Sequence, residues 1–241
     1  MKNVFGLVLI ALFTLNCNAQ WGKKIKGNGK VVTIERSVGD YEAIAVAGWF
    51  DVNIVDGREG QISLKGEENL LEYIKTEVKN GKLTIKVKKG YNLQSSNWKE
   101  GILVTVPVES VNSVSLSGSG EIIGKDVLRS DEFSAVISGS GDISLSVEAD
   151  MLKAVIAGSG DIDLSGKARD FNVTVSGSGD VQAFDLSADN VKANVSGSAD
   201  IKVTANESII ARVSGSGDIL YKGDPEKVDT KASGSGDINK A

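Results

Sequence analysis

The chain has 241 residues, 41% hydrophobic and 24% charged, which is enough apolar material for one or two packed domains and too much for wholesale disorder. It contains no His and one Cys, so a His-dependent hydrolase, a His/Cys zinc site and a disulfide framework are excluded. A formal charge of −5 leaves no electrostatic footprint for nucleic acid, and 28 Gly beside 5% aromatics point to many tight turns and thin layers.

Residues 1–19 read as a secretory signal peptide, with Lys2 in a short basic start and an apolar run from Val4 to Leu15. That run is short for a membrane span, which takes about 20 residues. Cys17-Asn18-Ala19 sets small residues at the cleavage positions. Cleavage after Ala19 leaves Gln20 first and a net charge of −6, from 26 basic and 32 acidic residues. The other reading makes Cys17 the acylated first residue of a lipoprotein. Thr14 and Asn16 fit a lipobox poorly, because Leu and a small residue are expected there. Both readings export the protein to the periplasm or cell envelope, with no transmembrane span in the mature chain.

Residues 20–30 are basic and Gly-rich and read as a tether. Residues 31–116 are β-rich without a strict repeat: Phe50/Val52/Ile54, Ile62/Leu64, Leu83/Ile85/Val87 and Ile102/Val104/Val106 alternate with mainly polar neighbours. One helical patch is predicted over Glu67–Val78, with Leu70, Leu71, Ile74 and Val78 on one face. The segment from Gly90 to Gly101, carrying Tyr91 and Trp98, reads as an irregular loop.

From residue 117 to 239 the chain repeats Ser-Gly-Ser-Gly-Asp-Ile with small variations. The first Gly of each copy is Gly118, Gly139, Gly158, Gly177, Gly197, Gly215 or Gly234, at intervals of 21, 19, 19, 20, 18 and 19. Before each copy stands an alternating apolar triplet such as Leu152/Ala154/Ile156 or Phe171/Val173/Val175, and after each Asp another strand begins with Ile or Val. Two short strands and two turns per 19 residues cannot bury a face alone; stacked rungs can. The fold class is therefore all-β, a right-handed parallel β-helix or β-solenoid, continuous with the irregular N-terminal half. Seven rungs at about 4.8 Å give a rod of roughly 34 Å.

The stretch Ala43-Ile44-Ala45-Val46-Ala47-Gly48-Trp49-Phe50-Asp51-Val52-Asn53-Ile54, then Gly66-Glu67-Glu68-Asn69-Leu70-Leu71, Leu83-Thr84-Ile85 and Val104-Thr105-Val106-Pro107, leads into the repeats. This ordered series, over residues 37–238, resembles the "putative auto-transporter adhesin, head GIN domain" family of exported Gram-negative Bacteroidetes proteins. The resemblance implies a right-handed β-helix-like fold and a cell-envelope location. It brings no catalytic residues, and the chain shows no anchoring barrel or stalk.

Among candidate sites, an acidic ladder recurs once per rung: Glu121, Asp142, Asp161, Asp180, Asp200, Asp218 and Asp237. Stacked carboxylates repel, and calcium between rungs would offset that. Alternatively, each Asp accepts hydrogen bonds from the amides of its own Gly-rich corner. The second corner Gly (Gly120, Gly141, Gly160, Gly179, Gly217, Gly236) is expected at positive φ, with Ala199 breaking the series. The exposed-looking Ser ladder is a hydroxyl array or a set of small corner residues. Arg129, Arg169 and Arg212 occupy unmatched positions of their rungs, and no special loop interrupts the repeat as an active site normally does. Tyr91 and Trp98 are candidates for sugar stacking, or for capping the solenoid.

The expected function is an exported, non-enzymatic binding protein presenting a solenoid surface to a saccharide or envelope component. A scaffold assembling through solenoid ends is the alternative, with a homodimer through the uncapped C-terminal rung; a polysaccharide-acting enzyme is a distant third. No cofactor is expected beyond the calcium considered above.

Overall fold

The computed structural model describes residues 22–97 and 101–241. The signal segment with Cys17 and Ala19, and Trp98, lie outside them. Alternating apolar positions make strands, and their fixed spacing makes the strands stack. The N-terminal part holds β1 (Lys23–Lys26), β2 (Val31–Ser37), β3 (Ala43–Gly48), β4 (Asp51–Asp56) and β5 (Gln61–Glu67). Next come helix α1 (Glu68–Leu71), β6 (Ile74–Lys79), β7 (Lys82–Val87), β8 (Tyr91–Gln94) and β9 (Leu103–Val108). The repeats form β10 (Ser113–Gly118), β11 (Glu121–Gly139), β12 (Asp142–Gly158), β13 (Ile162–Gly177), β14 (Val181–Gly197) and β15 (Ile201–Gly215). Strands β16 (Ile219–Lys222), β17 (Lys227–Gly234) and β18 (Ile238–Lys240) complete a β-solenoid of about 7 turns.

Parallel pairing keeps like residues over like. Leu116, Ile137, Ile156, Val175, Val195 and Val213 form one inward column, and Val114, Ala135, Ala154, Val173, Ala193 and Ala211 the next. The opposite face stacks Ile122, Ile143, Ile162, Val181, Ile201 and Ile219. All of these are buried. Each large aliphatic or aromatic side chain in the columns contributes about 1.5–3 kcal/mol of burial. Ala in the middle column draws the two faces together, which explains why few aromatics are needed.

The rungs of β11 to β15 differ from the expected two short strands and two turns, whereas the last keeps them, with β16 and β17 joined through residues 223–226, where Gly223 has φ 95°. Each of the others has one sharp corner, at the Gly-rich motif, and is otherwise a single bent strand such as the 17-residue β12. The second direction change is a bend at small residues rather than a turn, so the ladder continues through it.

The parallel stack extends below the repeats. Strand β3 lies between β10 and β7, and β4 between β11 and β9. Antiparallel strands then end it: β6 on β7, and β5 on β9 with β2 outermost. The helix predicted over Glu67–Val78 is confined to the four residues of α1. Residues 74–79 instead form β6, hairpinned to β7 through Asn80 (φ 51) and Gly81 (φ 70), the pair that a two-residue hairpin turn requires. Arg36 stops the helix by donating to the carbonyls of Leu71 (2.6 Å) and Ile74 (2.5 Å).

Part of the stretch read as a tether is also ordered. Strand β1 pairs in parallel with β8, which lies in the segment read as an irregular loop. The two are clipped to the body by Glu67, which is 2% exposed. Its carboxylate accepts from the amides of Gly29 (2.5 Å) and Ser96 (2.7 Å).

Candidate functional site

Two surfaces run the length of the rungs, the Gly-rich corner and the bend opposite it. At the corner, positive φ falls on the first Gly of each copy, from +134° at Gly215 to +149° at Gly139, with +120° at Gly234, and not on the second as the sequence pattern suggested. Both glycines also lie close against the rung below. A Cβ at Gly158 would sit 2.1 Å from the Gly139 carbonyl oxygen, and one at Gly160 1.9 Å from that of Gly141. The rungs stack backbone on backbone there. Ala199 is buried in the same column, and the ladder beside it is unbroken.

The Asp residues do not hydrogen-bond within their own corners. From Asp161 onward the amide of each Asp donates to the carboxylate one rung below: Asp161 to Asp142, Asp180 to Asp161, Asp200 to Asp180, Asp218 to Asp200 and Asp237 to Asp218, all at 2.8–2.9 Å, whereas that of Asp142 donates to the Gly120 carbonyl at 3.1 Å. A partly positive N–H thus lies between successive negative charges and offsets their repulsion. The ladder starts earlier than the repeat shows, since Asp51 accepts from the amide of Glu121 at 3.2 Å. Gly48-Trp49-Phe50-Asp51 is therefore a disguised corner, with Gly48 in register under Gly118. Among the described residues no cluster of three or more His, Cys, Asp or Glu is placed to hold a metal ion.

The bend carries the concave surface. Arg129, Glu148, Lys167 and Ser187 align in register as one wall, and Ser130, Ala149 and Ala168 as the floor, a row that continues into the buried Ala188. The next residue along each rung, Asp131, Asp150, Arg169 or Asp189, builds the opposite wall of a groove of about 640 Å³. Its charges are only partly paired. Arg129 Nε donates to Glu148 at 3.0 Å, and Arg169 bonds Asp170 at 3.0 Å and lies 3.8 Å from Asp150. Lys167 has no ion-pair partner among the described residues. Asn206 joins the walls at one end, through Ser187 (3.0 Å) and Asp189 (3.4 Å). At the other end Arg129 leads into a smaller hollow of about 110 Å³ bounded by Asp56, Glu109 and Asp126.

Arg129 and Arg169, unmatched in sequence, thus stand on opposite walls of one groove, whereas Arg212 bonds Asp229 elsewhere. The groove was missed because register slips between corner and bend spoil forward counting. Backward counting finds it: 129, 148, 167 and 187 each lie ten residues before a first Gly, at 139, 158, 177 and 197. Tyr91 is 37% exposed and rests on Tyr73, ring centroids 4.5 Å apart, on the N-terminal part rather than in the groove. The serines that follow the first Gly, Ser140 to Ser235, are exposed.

Residues 40–225 match the family described as "Putative auto-transporter adhesin, head GIN domain". The chain belongs to this family. A protein from Bacteroides fragilis described as a putative adhesin is similar in structure, with a TM-score of 0.83 and 25% identity over 90% of this chain and 100% of that one. A protein from Parabacteroides distasonis described as a putative lipid binding protein has a TM-score of 0.75 and 28% identity, over 91% of this chain and 100% of its own. A further putative adhesin, from Parabacteroides merdae, shares the fold at a TM-score of 0.71 and 23% identity, over 91% of this chain and 100% of that one. None of the curated proteins matches the chain. The family and its adhesin neighbours speak for a surface or envelope protein, and no helix among the described residues is long and apolar enough to cross a membrane.

Proposed function

We propose that this head GIN domain is an exported, non-enzymatic binding protein of the cell envelope, and that it holds a neutral, hydroxyl-rich oligosaccharide in the groove of the bend. The carrying observation is the mixed-charge lining: three bases (Arg129, Lys167, Arg169) alternate with four acids (Asp131, Glu148, Asp150, Asp189) along the two walls, over a floor of small residues. Planar, charged side chains fixed by their neighbours are suited to bidentate bonding with vicinal hydroxyls. The Ala floor accepts the apolar face of a sugar ring. The rungs rise by about 4.8 Å, close to the length of one pyranose, so successive sugars meet successive rungs.

Catalysis is disfavoured by the same pairing, since Glu148 is hydrogen-bonded to Arg129 and Asp150 lies near Arg169. Export rests on the leader at residues 1–19, with lipid attachment at Cys17 as the alternative to cleavage after Ala19. The Parabacteroides distasonis protein raises lipid as a ligand, but charged walls suit a headgroup better than an acyl chain.

The test is retention of the purified protein on a panel of neutral and acidic glycans, with calcium and then with chelator. Neutral glycans are expected to bind without product release, and Arg169→Ala to weaken binding at least about tenfold. Retention of acidic glycans alone, or full binding by Arg169→Ala, would refute the reading. Loss of binding with chelator would make the Asp column a calcium site.

A further inference from the structure

The two ends of the solenoid are unlike. Below the repeats, antiparallel strands cover the stack; above, β17 pairs only with β15 and is exposed along its whole length. Val228, which continues the column of Phe133, Leu152, Phe171, Val191 and Ile209, is 51% exposed.

The direction of the free backbone groups follows from the ladder. Ser235 N–H donates to the carbonyl of Gly215, and Gly215 is in register with Gly234. Backbone groups alternate sides along a strand. The odd-numbered residues of β17 therefore turn their N–H and C=O toward β15, while Val228, Thr230 and Ala232 turn theirs away from it. A long, flat edge of this kind is a template for another strand.

The side chains select the partner and the register. If a second β17 lies antiparallel about a two-fold axis through Thr230, Thr230 meets its own copy and Val228 meets Ala232. Both are then hydrogen-bonding pairs, and the inward column stays on the inner face. On the outer face Asp229 stands opposite Lys231, twice by symmetry. An axis at Asp229 would set Asp229 against itself and Lys227 against Lys231. An axis at Lys231 would oppose that Lys to itself, and an axis between residues would set inward side chains against outward ones. We infer that two copies of the chain associate end to end through β17, antiparallel about Thr230, as a closed dimer with a continuous sheet.

Sedimentation equilibrium of the purified protein from low to high micromolar concentration tests this, with a monomer–dimer equilibrium expected. Thr230→Pro removes an outward N–H that no bond within the chain uses. It is expected to abolish the dimer, to leave circular dichroism unchanged, and to match the parent's melting at concentrations where the parent is monomeric. Asp229 also holds Arg212 of its own chain, so the charge test is made on the lysine: Lys231→Asp, which sets acid against acid, is expected to weaken association at least about tenfold, and Lys231→Arg to keep it. A strict monomer, a dimer indifferent to Thr230→Pro or to Lys231→Asp, a dimer lost in Lys231→Arg, or growth beyond two copies would each overturn the proposal.

Discussion

Backbone proximity, more than side-chain chemistry, governs single residues at the corner. Gly158 combines φ +148° with a Cβ position 2.1 Å from a carbonyl oxygen of the rung below. We expect Gly158→Ala to cost roughly 3 kcal/mol or more in urea unfolding, far beyond a surface Gly→Ala change. Glu67 is decided by charge. Burial raises its pKa, but the hydrogen bonds from Gly29 and Ser96 outweigh that and hold it below the ordinary 4.5. A depressed folded pKa gives stability that is present above the unfolded value and lost as pH falls through the folded one. Wild type should therefore exceed Glu67→Gln in stability at pH 7, with the gap closing in acid below that range; a gap constant with pH would contradict the role given to the carboxylate. The corner motif was legible in the sequence because it recurs. Which Gly needs positive φ was not, because both are also held by contacts with another rung that a linear pattern does not display.

For elements, local pattern and stacking disagree in instructive places. Leu70, Leu71, Ile74 and Val78 satisfy a helical spacing, yet Ile74, Thr76 and Val78 also satisfy a period of two. The Asn80-Gly81 turn and pairing with β7 decide for the strand. The repeat strands were legible because their apolar columns are strict. The groove was not, since register slips between corner and bend hide the recurrence of Ala-Asp at 149–150 and 188–189, and the other wall changes residue type from rung to rung. Because a rung is the unit of both fold and groove, removing residues 159–177 joins Gly158 to Ser178 and preserves the corner. That deletion is expected to leave a cooperatively folded solenoid by circular dichroism, and to lose glycan retention along with Lys167 and Arg169. Retention equal to the parent's would place the ligand elsewhere.

At the scale of the whole molecule, the two ends and the flank divide the work. The antiparallel N-terminal strands close one end and the open edge of β17 offers the other for pairing, while the groove occupies the side. A two-fold axis at Thr230 would set the two grooves on opposite flanks of the doubled rod, giving one assembly two binding sites and a gain in avidity where ligands are dense.

The ladder bonds also carry a message about time. Along the Asp column, partners are only 18–20 residues apart. At the capped end Tyr41 reaches Pro107 across 66 residues and Asp56 reaches Asp126 across 70. Closing those long loops is the larger entropic obstacle to folding, whereas each repeat rung adds a short, nearly constant increment. The chain is thus laid out to form its repeat rungs first, from local contacts, and to close its N-terminal end last.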